Sequence, residues 1–132
     1  MKLTTKSEYS LLALIYITRR KNGYLKIDDI CSYYDIPKKY LEHLLVILKQ
    51  NRILKAKRGA GGGYKLAKSP DEITVAEIIR IMDGALAPTE SVSQYFYAST
   101  PLEKEEKILG ILKNIRDYVS QVLETTTLSD LA

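Results

Sequence analysis

The sequence predicts a mainly α fold: a winged helix-turn-helix domain with a two-stranded wing and a long C-terminal dimerisation helix. Three observations predict it. Two short segments of helical periodicity meet at Asp35-Ile36-Pro37. A glycine block, KRGAGGGYKL at 57–66, lies between two strand-like runs. An apolar stripe then recurs through a segment of about 102–125.

The first helix is expected from about Lys6 to Arg20. Thr5 can cap it, and Glu8, three residues on, would complete a capping box. Leu12, Ile15, Tyr16 and Arg19 follow helical spacing, and Gly23 is a stop signal. A short second helix fits Asp28 to Tyr34. Pro37 suits the first position of a third helix, which would run to about Asn51. One face of that third helix carries Leu41, Leu44, Leu45 and Leu48. The opposite face carries Lys38, Lys39, Glu42, His43 and Lys49, so one side packs and the other offers hydrogen-bonding groups. Two such helices joined by a tight turn make a helix-turn-helix candidate.

Ile53 to Arg58 and Tyr64 to Leu66 read as strands, with the glycines at a hairpin tip. A nucleotide-binding loop would need Gly-Lys followed by Ser or Thr, leading into a helix. Neither feature is present. A hairpin after a helix-turn-helix is a wing. Its glycines let backbone amides approach a phosphate, while Lys55, Lys57, Arg58 and Lys65 supply charge.

Thr74 can cap a further helix from Val75 to Asp83, with Glu77 three residues on and Gly84 at its end. A looser stretch follows. The long helix is expected from about Leu102 to Thr125. Its stripe of Ile108, Ile111, Leu112, Ile115, Val119 and Val122 needs a partner surface, preferably a second copy of the chain, since winged helix proteins read paired half-sites. The expected division is residues 1–83 for DNA binding, 84–100 for a sensor-like loop, and 101–132 for the dimerisation helix and tail.

Net charge is +4, unevenly distributed. Residues 1–68 carry fifteen Lys/Arg against five Asp/Glu, or +10; residues 69–132 carry five against eleven, or −6. The first half therefore suits a polyanion. The single cysteine, Cys31, can form neither an internal disulfide nor a four-cysteine cluster site. No apolar run approaches the ~20 residues of a membrane span, and the N-terminus lacks a secretory signal, so the expected location is the cytoplasm. The sole histidine, His43, adjoins Glu42, but no nucleophile or metal set accompanies the pair. No catalytic residue, metal ligand or cofactor is expected.

The segments Met1 to Lys6, IPKKYLE at 36–42, RGAGGGY at 58–64, Ile73-Thr74 and TLSDL at 127–131 resemble the Rrf2 family of bacterial transcription regulators over almost the whole chain. The glycine block with its flanking Arg and Tyr is the most specific part. The resemblance implies a homodimer of winged domains on double-stranded DNA, with a palindromic operator. The long helices would cross, and the wings would enter the minor groove. It places Lys38, Lys39, Tyr40, Glu42 and His43 at the DNA on the recognition helix. On the wing it places Lys57, Arg58, Gly59, Ala60, Gly61 and Gly62. Glu42 would face bases in the major groove and Arg58 the minor groove.

Departures from the family pattern are also visible. Pro37 stands where many members have Ser, and His43 where Gln is common. Cluster-binding members carry three cysteines before the long helix; here that stretch has Ser91, Ser93, Tyr95, Phe96 and Tyr97, and no cysteine or histidine. These residues suit a repressor without an iron–sulfur cluster, answering to a metabolite, a protein partner or oxidation of Cys31. The alternatives are a redox sensor with atypical ligands, such as Glu8 and Cys31, or a nonspecific nucleic-acid-binding module.

Overall fold

The computed structural model describes residues 1–21 and 23–132. Its order is α1 (Thr5–Arg19), α2 (Ile27–Tyr34), α3 (Lys38–Gln50), β1 (Leu54–Lys57), β2 (Gly63–Leu66), α4 (Val75–Asp83), α5 (Glu106–Thr125) and α6 (Leu128–Leu131).

α1 begins one residue earlier than its sequence signal. Thr4, not Thr5, is the N-cap, its hydroxyl accepting from the Lys6 amide at 3.2 Å. The reason lies far along the chain. The Asp83 carboxylate at the end of α4 accepts from the Thr4 amide (2.9 Å), the Thr4 hydroxyl (2.6 Å) and the Ser7 hydroxyl (2.6 Å). That grip fixes which threonine caps, and the capping box with Glu8 does not form.

α2 ends at Asp35, which takes the left-handed conformation (φ 57°) and turns the chain into α3. Asp tolerates that region better than most residues, because its short polar side chain can bond locally. Leu41, Leu44, Leu45 and Leu48 of α3 are fully buried against Ala13, Leu14 and Ile17 of α1 and Ile30 of α2. A leucine-to-alanine change in such a layer typically costs ~2–5 kcal/mol.

β1 and β2 pair antiparallel, with Leu54 opposite Leu66 and Lys57 opposite Gly63. Leu25 bridges to Tyr64 on the other edge of β2, through reciprocal backbone bonds of 2.8 Å. This bridge fastens the hairpin to the segment before α2. It also explains Gly63: a Cβ there would lie 2.2 Å from the Leu25 carbonyl oxygen.

α4 keeps its expected bounds, with Thr74 capping through the Glu77 amide at 3.1 Å and Gly84 closing it, but the Glu77 carboxylate pairs with Lys68 instead of completing a capping box. α5 starts at Glu106, later than expected, because Pro101–Lys104 forms a separate 3-10 turn. The end of the chain also differs from a simple tail. α6 puts Leu128 in the first core, fully buried, while the Leu128 amide donates to the Ile73 carbonyl (3.0 Å) and the Val75 amide to the Thr126 carbonyl (2.9 Å). A second core joins Val75, Ala76, Ile79 and Leu86 to Val119 and Leu123 of α5.

Candidate nucleic-acid interface

The outward face of α3 is made by the residues that its buried leucines leave over. Lys39, Glu42 and His43 are exposed, and none forms an ion pair among the described residues. Lys38 is exposed too, but its ammonium meets the Asp28 carboxylate of α2 at 2.9 Å. The hydrogen bond from that ammonium to Asp28 pushes the Lys38 pKa up. Both groups are largely solvated, so the pair is worth little to stability.

Tyr40 is half-buried. Its ring packs edge-on to Tyr9, with centroids 5.7 Å apart, and its hydroxyl lies 3.1 Å from the Thr5 hydroxyl. It therefore sets the angle of α3 against α1 as well as reaching the surface. Val46 lies one turn beyond Glu42 and is 42% exposed. Its apolar type hides it from a search of the sequence for polar readers. An exposed apolar side chain on a polar helix face is the type that meets a thymine methyl group.

The wing tip runs from Arg58 to Gly62. Gly59 (φ 88°) and Gly61 (φ 75°) hold conformations that side-chain-bearing residues rarely adopt. Arg58, Gly59, Ala60 and Gly61 are exposed, as is Lys57 at the end of β1. Gly62 differs from them. It is buried, and its amide donates to the Gly59 carbonyl at 3.0 Å, so that amide is committed to the turn. A Cβ at Gly62 would lie 2.2 Å from the Lys57 carbonyl oxygen. Tyr24, also missed in the sequence, seats two wing lysines: the Lys65 ammonium lies 4.8 Å and that of Lys57 5.9 Å from its ring centroid. Only the bridge at the neighbouring Leu25 brings it there, and no local pattern signals that.

The stripe on α5 divides. Ile108, Ile111, Ile115 and Val122 are exposed, between 39% and 55%, and Tyr118 beside them is 71% exposed. Leu112 and Val119 are half-buried, and Val119 packs against the chain's own second core. α5 is fastened to α4 of the winged domain by the Arg80–Glu124 ion pair, and to the segment between α4 and α5 by the Arg116 guanidinium, which donates to the Val92 carbonyl at 3.0 Å. In the preceding segment Ser91 and Ser93 are buried, whereas Tyr95, Phe96 and Tyr97 are exposed by 70, 45 and 60% and belong to neither buried cluster among the described residues. The Arg80 guanidinium lies 4.6 Å from the Tyr95 ring centroid.

Cys31 sits half-buried on α2, against the first core. Burial, and then the Asp28 carboxylate, push its pKa up, with Lys38 opposing. That favours the thiol over the reactive thiolate.

Comparison with known proteins agrees with this architecture. A family model described as "Rrf2: Iron-dependent Transcriptional regulator" matches residues 3–132. The HTH-type transcriptional regulator CymR of Bacillus subtilis is 35% identical over 133 residues, spanning 100% of this chain and 90% of CymR. The solved structure of CymR, titled the global cysteine regulator of B. subtilis, superposes with a TM-score of 0.80 at 33% identity, covering 100% of this chain and 96% of that one. A regulator from Listeria innocua gives a TM-score of 0.82 at 32% identity, covering 99% and 85%. IscR of T. potens gives 0.76 at 26%, again covering 99% and 85%.

The iron in the family description meets no suitable donor set. Iron–sulfur clusters are held by thiolates, in some cases with histidine. This chain offers one thiol, on α2, and one histidine, on α3. No three His, Cys, Asp or Glu side chains gather as a metal site among the described residues. The residues present do not fit a cluster.

Proposed function

The chain belongs to the Rrf2 family of transcriptional regulators, and from that premise we propose that it is a homodimeric repressor working without an iron–sulfur cluster. It is a DNA-binding regulator. Two winged domains read a palindromic operator, with α3 in the major groove and the wing in the minor groove. One observation carries this: the exposed polar face of α3, with Lys39, Glu42 and His43 free of ion pairs among the described residues, and the glycine-tipped wing lie on one positively charged half of the chain.

Glu42 accepts from a cytosine amino group, and Val46 meets a thymine methyl. Lys38 and Lys39 contact phosphates; Lys38 exchanges Asp28 for a phosphate oxygen as it does so. Arg58 enters the minor groove. The exposed isoleucines of α5 with Val122 pack against the same helix of a second copy. The signal is a small molecule or a protein partner acting near the 84–105 segment, whose exposed aromatics suit such contact. Oxidation of Cys31 has less support, because its thiol is disfavoured as thiolate.

The test is selection of binding duplexes from a random-sequence pool, followed by titration against scrambled DNA. Specific regulators bind their sites typically 10³–10⁷ times tighter than random duplex. A palindromic consensus and a large ratio are expected. Equal affinity for every duplex would overturn the reading in favour of a nonspecific nucleic-acid-binding module.

A further inference from the structure

β1 and β2 alternate their side chains. Leu54, Leu66 and Tyr64 pack against the first core. Lys55 and Lys65 face each other across the ladder on the opposite side, and Lys57 follows on that same side. Like charges directly opposite one another weaken a two-stranded sheet. No carboxylate relieves them: none of Lys55, Lys57, Lys65, Arg20 or Lys21 takes part in an ion pair among the described residues. The ring of Tyr24 is the counterweight for two of them, Lys57 and Lys65.

The patch is continuous. It leaves the wing tip at Arg58, passes Lys57 and Lys65, and ends in an open groove of about 430 Å³ at the base of the wing. Arg20, Lys21, Lys55 and Lys65 line that groove, over a floor that includes Ile17 and Leu66. Arg20 is held in place: its guanidinium stacks 3.4 Å from the Tyr16 ring centroid and donates to the Tyr16 carbonyl. From Lys57 to Lys55 the strand covers ~7 Å. A duplex strand presents a phosphate every ~3.4 Å of helix axis, so the wing side alone spans about two phosphates.

We propose that this outer face of the wing, with the C-terminal end of α1, docks the phosphate backbone of duplex DNA flanking the operator. Such docking presupposes the DNA-regulator reading and extends the interface beyond the half-sites. The occupant follows from the arrangement. A row of unpaired cations that starts at the wing tip meets DNA that is already bound there. The groove is open to solvent, as a bound phosphate backbone requires.

The experiment uses the full chain and a duplex enriched from the random pool. That core site is prepared alone and with about one helical turn of arbitrary sequence on each side. The quantity read is the ratio of the two affinities, and the salt dependence of each. For the unaltered protein, flanks are expected to tighten binding about tenfold, and to steepen the logarithmic salt slope by roughly 3.6, two phosphates for each wing of a dimer at ~0.9 per phosphate neutralised. Lys21→Gln with Lys55→Gln should bring the flank ratio to near one. Both residues are exposed, and a circular dichroism spectrum checks the fold. Arg20→Gln supplies an independent variant that should also lower the ratio. A ratio near one in the unaltered protein overturns the proposal, as does an undiminished ratio in either variant. If no duplex is enriched at all, it is the regulator reading that fails, a distinguishable result.

Discussion

Thr4 is held at both its backbone amide and its hydroxyl by one carboxylate, that of Asp83, at 2.9 and 2.6 Å. The contact joins the start of α1 to the end of α4, 79 residues later. Because Thr5 and Tyr9 of α1 both touch Tyr40, the same grip helps to set the angle of α3. Partial burial works to raise the Asp83 pKa, but the hydrogen bonds from Ser7 and Thr4 outweigh it and hold the carboxyl below its usual range. A group depressed in the folded state contributes stability above its unfolded value of ~3.9, and loses it as pH falls through the folded value. Asp83→Asn should cost about 1–2 kcal/mol at pH 7, after allowance for solvent screening at this partly exposed site. It should also flatten the acid limb of the stability curve. Urea unfolding of both proteins between about pH 2 and 7 checks this; parallel curves would deny Asp83 the role.

Glu42→Ala should relax sequence preference at one position of each half-site, by ~1–3 kcal/mol of discrimination. Competition among single-base operator variants reads it directly. Unchanged discrimination would remove Glu42 from base contact.

At the wing, Arg58→Ala should weaken binding and lower the salt slope by ~0.9 for each phosphate it no longer neutralises. Gly62→Ala should do similar harm by another route. Its new methyl would press on the Lys57 carbonyl and force the turn open. A Gly62→Ala protein with unaltered affinity would show that the shape of the tip does not matter.

Ile111→Glu with Ile115→Glu should give monomers by light scattering, since both side chains are more than 40% exposed on one helix face and neither packs in the chain's own buried clusters. A stable dimer would mean that another surface pairs. The unaltered protein, purified without oxygen, is expected to be colourless and free of iron. Stoichiometric iron with visible absorbance would overturn the account of the donor set.

How far the structure could be read in the sequence depended on where each signal originates. The bounds of α4 were close to legible, because Thr74 and Gly84 are local start and stop signals. So were the buried leucines of α3, whose spacing alone divides a helix into two faces. The cap of α1 was misplaced by one residue because Asp83, distant in sequence, selects Thr4. α6 was not anticipated: four residues have no periodicity to read, and Leu128 is buried only because the first core receives it. On the exposed face of α3 and at the wing tip, Glu42, His43 and Arg58 are candidates that type and spacing single out, and the structure shows all three exposed. Tyr24 and Val46 could not be singled out, since one is placed by a backbone bridge and the other reads as an ordinary apolar residue.

α5 is anchored at several points along its length. Arg116 holds its middle to Val92, Arg80 holds Glu124, and the Val75 amide holds Thr126 just past its end. If α5 is the pairing helix, as proposed above, these contacts tie it to the α3-bearing domain. Two heads joined through such helices would act as a caliper with a set opening. An insertion of about five base pairs between the half-sites, half a helical turn, would move the second onto the far side of the duplex, where the caliper cannot follow. On that reading, a signal that releases the protein would change the opening, and the Arg80–Glu124 pair and the Arg116–Val92 contact that clamp α5 would be where it acts.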